Sequence, residues 1–322
     1  MQTPRDSFHL RPENLLVFSK ASLDSALLLT PSEIPPPPAT QPSKYVLVDH
    51  NRLLSHLTGT VVSIFDHHAD EQQHLSADPR VIKPVGSCTS LIAVHFTDSW
   101  KTRPSEELQS VALLLLSGIL IDTGGLKAGG KATETDYEAA RLIAPHTGLA
   151  TTSSMAAVEG QVPTALDSYS RQLALQKASV DHLSVGDLLR RDYKEDIVAG
   201  LRIGLATVPV GLKPMVKRDM PTFWSDIDAY MAERHLEILG VLTSYRSKRN
   251  KHKRQLLFVI QPGHTDIETK LFAAIGADKE LDCEERRIAG LGKRRARCWR
   301  QGNVKATRKQ IAPLVKSILE SS

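Results

Sequence analysis

At 322 residues, with 41% hydrophobic and 24% charged side chains, the chain is long enough for two ordinary domains and apolar enough to give each a core. Its three cysteines (Cys88, Cys283, Cys298) are too few for a disulfide framework, and its longest apolar run, Val111 to Ile121, is broken by Ser117 and Gly118 and too short for a membrane span. The net charge of +5 hides an asymmetry, since residues 1–163 carry 12 Lys/Arg against 17 Asp/Glu and residues 164–322 carry 29 against 19, the balance expected if one half holds cations and the other meets a polyanion.

The opening MQTPRDSFHLRPENLL has no sustained apolar core, so no secretory signal is expected, and the cysteine usage points to a reduced, cytoplasmic protein. Leu15 to Leu29 suits a helix, ended by the extended run Pro35 to Pro38. After Ser43 come short apolar runs that stop at polar residues. Tyr45–Val48 runs into Asp49-His50-Asn51, Val61–Phe65 into Asp66-His67-His68, and Leu113–Ile121 into Asp122. These runs read as buried parallel strands, with helices over 87–99 and 134–143. The class is therefore α/β, with a parallel-sheet domain over 1–150.

Residues 144–165 are small, polar and punctuated by Gly and Pro, as in a linker. A smaller, basic, mixed α+β domain is expected over 163–322. Its helices are read over 166–178, 188–194 and 307–319, its strands over 202–208, 238–244 and 255–260.

In an open parallel sheet, ligands sit beyond the carboxyl ends of the strands. Asp49, His50, Asp66, His67, His68 and Asp122 would together offer carboxylate and imidazole there, a mixed shell that suits Mg, Mn or Co better than a structural zinc. One Asp-His pair at a strand end is usually a cap or a core histidine; two pairs and a third Asp point to a metal site.

The segments VDHN (48–51), FDHHAD (65–70), VGSCTSLI (85–92) and LIDTGGLK (120–127) resemble the DHH phosphoesterase superfamily. The closest likeness is to its branch of exopolyphosphatases, family II inorganic pyrophosphatases and prune-like proteins, and within that to eukaryotic exopolyphosphatases. LLRRDYKE (188–195), VLTSYRS (241–247) and NVKATRKQIAPLV (303–315) resemble the DHH-associated second domain. The resemblance implies that Asp49, His67 and Asp122 bind metal, and that Asp49 bridges two divalent ions, Mn or Mg with Co as a further candidate. It implies that His50 and His68 lie near the attacking water and the phosphate, with Asp66 orienting its histidine neighbours. Lys194, Arg308 and Lys309 would grip the phosphoryl group from the second domain. The implied activity is release of orthophosphate from inorganic polyphosphate, with pyrophosphate as another substrate and no covalent intermediate.

The resemblance starts after the family's Asp-x-Asp-Ser motif, so a first strand and two or three ligands are expected to be lacking. Leu23-Asp24-Ser25 has no upstream Asp and sits only 25 positions before Asp49. The alternative is a polyanion-binding or scaffold protein of the same fold that has lost turnover. Gly125 to Lys131 nearly matches a P-loop, but Ala132 stands where the Mg-binding hydroxyl would be. The basic runs 248–254 and 293–297 suit a long polyphosphate; nucleic acid is not expected as a partner, nor is a membrane. The Gly-Gly-Gly-His signature of the nuclease branch is absent.

Overall fold

The computed structural model describes residues 3–34, 43–54, 57–156, 162–220, 222–247, 249–292 and 294–321. The polyproline run lies outside the described residues. The chain divides into two compact units, Met1–Ser179 and Val180–Ser322.

In the first unit, helix α1 (Pro12–Lys20) starts with proline in its first turn, where a missing amide costs nothing. It stops at Ser22, whose φ of +56° leaves the helical region, so the helix is shorter than the sequence pattern suggested. Strands β1 (Lys44–Val48), β2 (Thr60–Asp66) and β3 (Arg80–Ile82) form a parallel sheet in the order β1-β2-β3. Helices α2 (Cys88–His95), α3 (Thr97–Thr102), α4 (Ser105–Thr123), α5 (Glu134–Ile143), α6 (Thr152–Ala156) and α7 (Thr164–Ala178) complete the unit.

One expected strand is a helix. The run 113–121 is the second half of α4, which begins after Pro104 with Glu106 and Glu107 in its first turn and ends at Gly124 in the left-handed region. An all-apolar run has no readable period, and here it is leucine-rich rather than β-branched. Leu113, Leu116, Ile119 and Leu120 are buried in the unit's main core.

Helix α7 joins the same core through Leu166, Tyr169 and Leu173, and the Tyr169 hydroxyl meets that of Ser117 at 2.7 Å. The division between units therefore falls after this helix, later than the composition shift at 144–165. What looked like a linker starts with a short helical turn, Ala144–Thr147, packed against α4.

The second unit comprises α8 (Val185–Arg191), β4 (Tyr193–Val198), β5 (Leu201–Val208), α9 (Leu212–Arg218), α10 (Phe223–Glu233), β6 (Ile238–Thr243), β7 (Tyr245–Arg246), β8 (His252–Ile260), α11 (Thr265–Ala277), β9 (Cys283–Arg286), β10 (Ala296–Gln301) and α12 (Arg308–Glu320). Its mixed sheet runs β4-β5-β6-β8-β10-β9, with β7 paired to β8. Only β5 and β6 are parallel on that path. The helix read over 188–194 ends at Arg191, so Lys194 lies on a strand.

On one face of this sheet Trp299 is 2% exposed and meets Phe258 and Phe272 edge-on. Helix α12 covers that face with Ile311, Val315 and Leu319, four residues apart. Its start is fixed by a capping box between Thr307 and Gln310. No helix among the described residues is long and apolar enough to cross a membrane.

Candidate metal centre and phosphate cleft

Parallel pairing of β1 with β2 sets Val48 opposite Phe65, so Asp49 and the Asp66-His67-His68 triplet leave the sheet at the same edge. The Asp49 amide still donates to the Phe65 carbonyl at 2.9 Å, and then its φ of +67° turns the chain out of the strand. A left-handed aspartate is uncommon and costs energy, so the surrounding contacts must hold it there.

The turn brings three donors together. Asp49 Oδ1 lies 3.1 Å from His67 Nε2 and 3.9 Å from His68 Nδ1. Ligand atoms of Asp49, His67 and His68 all fall within 4.8 Å of one another. His67 Nδ1 is 3.1 Å from the Val85 carbonyl, an acceptor only, so that nitrogen donates and the ring is oriented with Nε2 toward Asp49.

Beneath them Asp66 is fully buried. It accepts from the His68 ring at 2.7 Å, the His68 amide at 3.2 Å and the Asn51 side chain at 2.5 Å. Burial pushes its carboxyl up, but these hydrogen bonds outweigh it and hold it below its ordinary value. Asn51, also buried, donates to the Ala69 carbonyl and accepts from the Glu71 amide, which pins the loop after the triplet. Sequence reasoning gave Asn51 no role; its adjacency to Asp49-His50 is the signal that marks it as part of the candidate site.

His50 donates from Nδ1 to the Val48 carbonyl at 3.0 Å and stays outside the tight donor group. Asp122 also stays outside that group. It projects from the last turn of α4 and accepts from the Ser87 hydroxyl at 2.6 Å. The common neighbour of the acidic groups is Cys88. Burial pushes its thiol up to about 12; the Asp49 amide opposes this, while the charges of Asp49, Asp66 and Asp122 push the same way. The protonated thiol donates to the Phe65 carbonyl, so the centre offers oxygen and nitrogen donors without thiolate.

The 85–87 loop that supplies Val85 and Ser87 is held by Asp136, a buried carboxylate near the start of α5. It accepts from the amides of Gly86, Ser87 and Thr133 and from the Ser90 and Thr133 hydroxyls. Burial raises its carboxyl and this cage more than compensates, leaving it below its ordinary value. A Cβ on Gly86 would sit 2.7 Å from the Asp136 carboxylate and 3.0 Å from the Lys131 carbonyl, so only glycine fits. A Thr133–Asp136 capping box opens α5, and the same carboxylate anchors the distant 85–87 loop. Asp24 is spent locally, accepting from the Ala26 amide.

In the second unit Lys194, Arg308 and Lys309 line one cleft of about 400 Å³ between β4, β5 and α12. The Arg308 guanidinium donates to the Asp192 carboxylate at 2.8 Å and to the Asp192 carbonyl at 3.0 Å, so it is held in place. Lys194 and Lys309 are exposed. Lys316, on the same wall, pairs with Asp196 and keeps that carboxyl below its ordinary value.

The glycine-rich 124–131 stretch is the connection from α4 to α5, with Gly125 bonded back to Leu120. In the basic runs, Lys248 and Lys293 lie outside the described residues. Arg294, Arg295 and Arg297 pair with Asp228, Glu268 and Glu285.

Residues 171–318 match the model of the DHHA2 domain. The chain is 30% identical over 330 residues to a Schizosaccharomyces pombe protein named "Putative exopolyphosphatase", covering 97% of this chain and 79% of that one. It is 22% identical over 325 residues to the Rattus norvegicus protein named exopolyphosphatase PRUNE1 and 21% identical to the Homo sapiens protein of the same name. Each match covers 98% of this chain, which spans about two thirds of those relatives' length (66% and 67%). Among solved structures, a Methanococcus jannaschii "putative family II inorganic pyrophosphatase" superposes with a TM-score of 0.55 at 18% identity, over 96% of this chain and 88% of that one. The fold is thus shared with that protein.

Proposed function

The chain belongs to the DHH phosphoesterase superfamily, in the branch of exopolyphosphatases and prune-like proteins with a DHHA2 second domain, and from that premise we propose that it hydrolyses phosphoanhydride bonds of inorganic polyphosphate from the chain end, releasing orthophosphate, with pyrophosphate as a second substrate. The single observation that carries the reading is the Asp49–His67–His68 donor group standing over the buried Asp66–Asn51 pair. Names of relatives support the substrate class.

The donor chemistry fits a divalent cation, Mn or Mg with Co as a further candidate: a carboxylate oxygen, imidazole nitrogens and no thiolate. Asp49 and His67 would hold it, with Asp122 as a further ligand. When bound, it supplies positive charge for the phosphoryl oxygens and acidifies water.

The remaining work falls to the chain's own side chains. The Val85 carbonyl fixes the His67 tautomer. Asp66 holds the His68 Nδ1 proton, which leaves Nε2 to exchange a proton with the water or the departing phosphate. His50, tied to Val48, presents its Nε2 in the same way. Arg308, braced by Asp192, gives a fixed planar donor set to phosphoryl oxygens, and Lys309 and Lys194 add point charges. Phosphoryl transfer depends mainly on such positioning and charge, so no nucleophilic side chain is required.

All three cysteines are free, in keeping with a cytoplasmic protein. The rival reading, a polyanion-binding protein of the same fold without turnover, predicts salt-sensitive polyphosphate binding and no release. Pure full-length chain incubated with polyphosphate and Mn or Mg distinguishes the two. Metal-stimulated orthophosphate release, abolished in Asp122→Ala, supports hydrolysis; binding without release overturns it.

A further inference from the structure

The second unit carries another cleft, of about 430 Å³. It lies on the sheet face opposite α12: Gln255 and Cys298 line it, whereas their strand neighbours Leu256 and Trp299 point into the α12 core. A volume of that order is in the range of small-molecule sites, about 300–1,000 Å³.

Its make-up is two-sided. Val216, Met220 and Ile288 give an apolar floor, and Met220 is left 58% exposed at the mouth. Lys213 and Lys217, four residues apart on the outer face of α9, share the rim with Arg287. All three are exposed, and none has an ion-pair partner among the described residues. Arg286 also lines the cleft but is paired with Glu284 at 2.7 Å. Among the described residues no carboxylate lines the cleft.

A polyanion such as polyphosphate has no use for the apolar floor, and a neutral apolar ligand would leave three unpaired cations facing it. We infer that this cleft binds a small amphiphilic anion, an alkyl chain ending in a phosphate-type head, with the chain on Val216, Met220 and Ile288 and the head on Lys213, Lys217 and Arg287. The occupant's charge complements the rim, and its tail covers the exposed Met220. This site is separate from the Lys194–Arg308–Lys309 cleft, and its occupancy requires no turnover, so it stands or falls independently of the proposed hydrolysis.

The test is calorimetric titration of the full chain with decyl phosphate below its micellar concentration, beside inorganic phosphate, tripolyphosphate and decanol. One decyl phosphate per chain is expected, bound at least tenfold more tightly than any of the other three. The doubly substituted Lys213→Glu, Lys217→Glu chain should lose at least tenfold in affinity, as should Met220→Asp, while Lys309→Gln keeps it. Thermal melting of each variant checks that it is folded; all four altered positions are exposed, so little change in melting is expected. Undiminished binding in the double variant overturns the proposal. So does equal affinity for tripolyphosphate, which would mark a second polyanion site, or sedimentation with anionic vesicles without binding of monomeric decyl phosphate, which would mark a membrane surface.

Discussion

The side-chain amide of Asn51 donates to the buried carboxylate of Asp66 across the ends of two parallel strands, 2.5 Å away. This bond fixes the carboxylate that in turn holds the His68 ring, so Asn51 supports the proposed metal centre without touching a donor atom. Replacing it with leucine leaves Asp66 short of one partner and frees the 69–71 loop. Loss of such an outer support typically costs about 10–100-fold in metal affinity or activity. Asn51→Leu is expected to lower Mn affinity within that range, read by calorimetry; an unchanged affinity would remove Asn51 from the site.

The 85–87 loop predicts a backbone-sensitive position. Gly86→Ala puts a methyl against the Asp136 carboxylate and the Lys131 carbonyl, neither of which can yield without moving Val85 and Ser87. Overpacking of this kind costs about 1–3 kcal/mol. Phosphate release should fall along with stability, whereas Gly124→Ala, whose Cβ would meet nothing within 4 Å, strains only its own φ. Equal effects of the two substitutions on activity would contradict this account of the loop.

Asp136 ties stability to pH. Its folded pKa lies below the ordinary 3.8, so the ionised, caged form stabilises the native state. That contribution is fully present above the unfolded value and is lost as pH falls through the folded one. Asp136→Asn is therefore expected to cost about 2–3 kcal/mol near neutral pH, the scale of lost charge-assisted hydrogen bonds. The gap to the unsubstituted protein should narrow below about pH 4. Urea unfolding at a series of pH values measures it; a gap that widens in acid would be the wrong sign.

In the phosphate cleft, Lys309 is exposed and Arg308 is braced by Asp192. Lys309→Gln should raise the KM for polyphosphate about tenfold, one charge-assisted contact being worth about 1.5–3 kcal/mol, with the melting temperature unchanged. Asp192→Asn should raise KM as well, by loosening Arg308. Steady-state kinetics at fixed ionic strength separates these from a loss of kcat.

Trp299 fills the core under α12 between Phe258 and Phe272. Trp299→Ala is expected to destabilise the second unit by about 3–5 kcal/mol, read by denaturant unfolding. A cost below about 1 kcal/mol would show that this core is not what carries α12 and its Arg308–Lys309 end.

The strand ends were legible because β-branched runs stop abruptly at Asp-His pairs, and parallel pairing must carry such ends to one edge. The run before Asp122 was misread as a strand because an all-apolar helix buried on several sides shows no period. Its acidic first turn after Pro104 and its Gly124 stop were the signals that decide it. Helix α7 was assigned to the second unit because composition shifts at 144–165, yet Tyr169 and Leu173 complete the first unit's core. The roles of Asn51, Asp136 and Asp192 arise from contacts between segments far apart in the chain, which local pattern does not encode.

The central claim is that the Asp49–His67 pair supports metal-dependent phosphoanhydride hydrolysis. Orthophosphate release from polyphosphate by the pure full-length chain, measured with and without Mn or Mg, for the natural sequence and for Asp49→Ala, tests it most directly. The expected result is release that requires the metal and falls at least about 100-fold in Asp49→Ala, the loss of a direct ligand exceeding that of an outer support. Release that is independent of metal, equal in Asp49→Ala, or absent from the folded protein would contradict it.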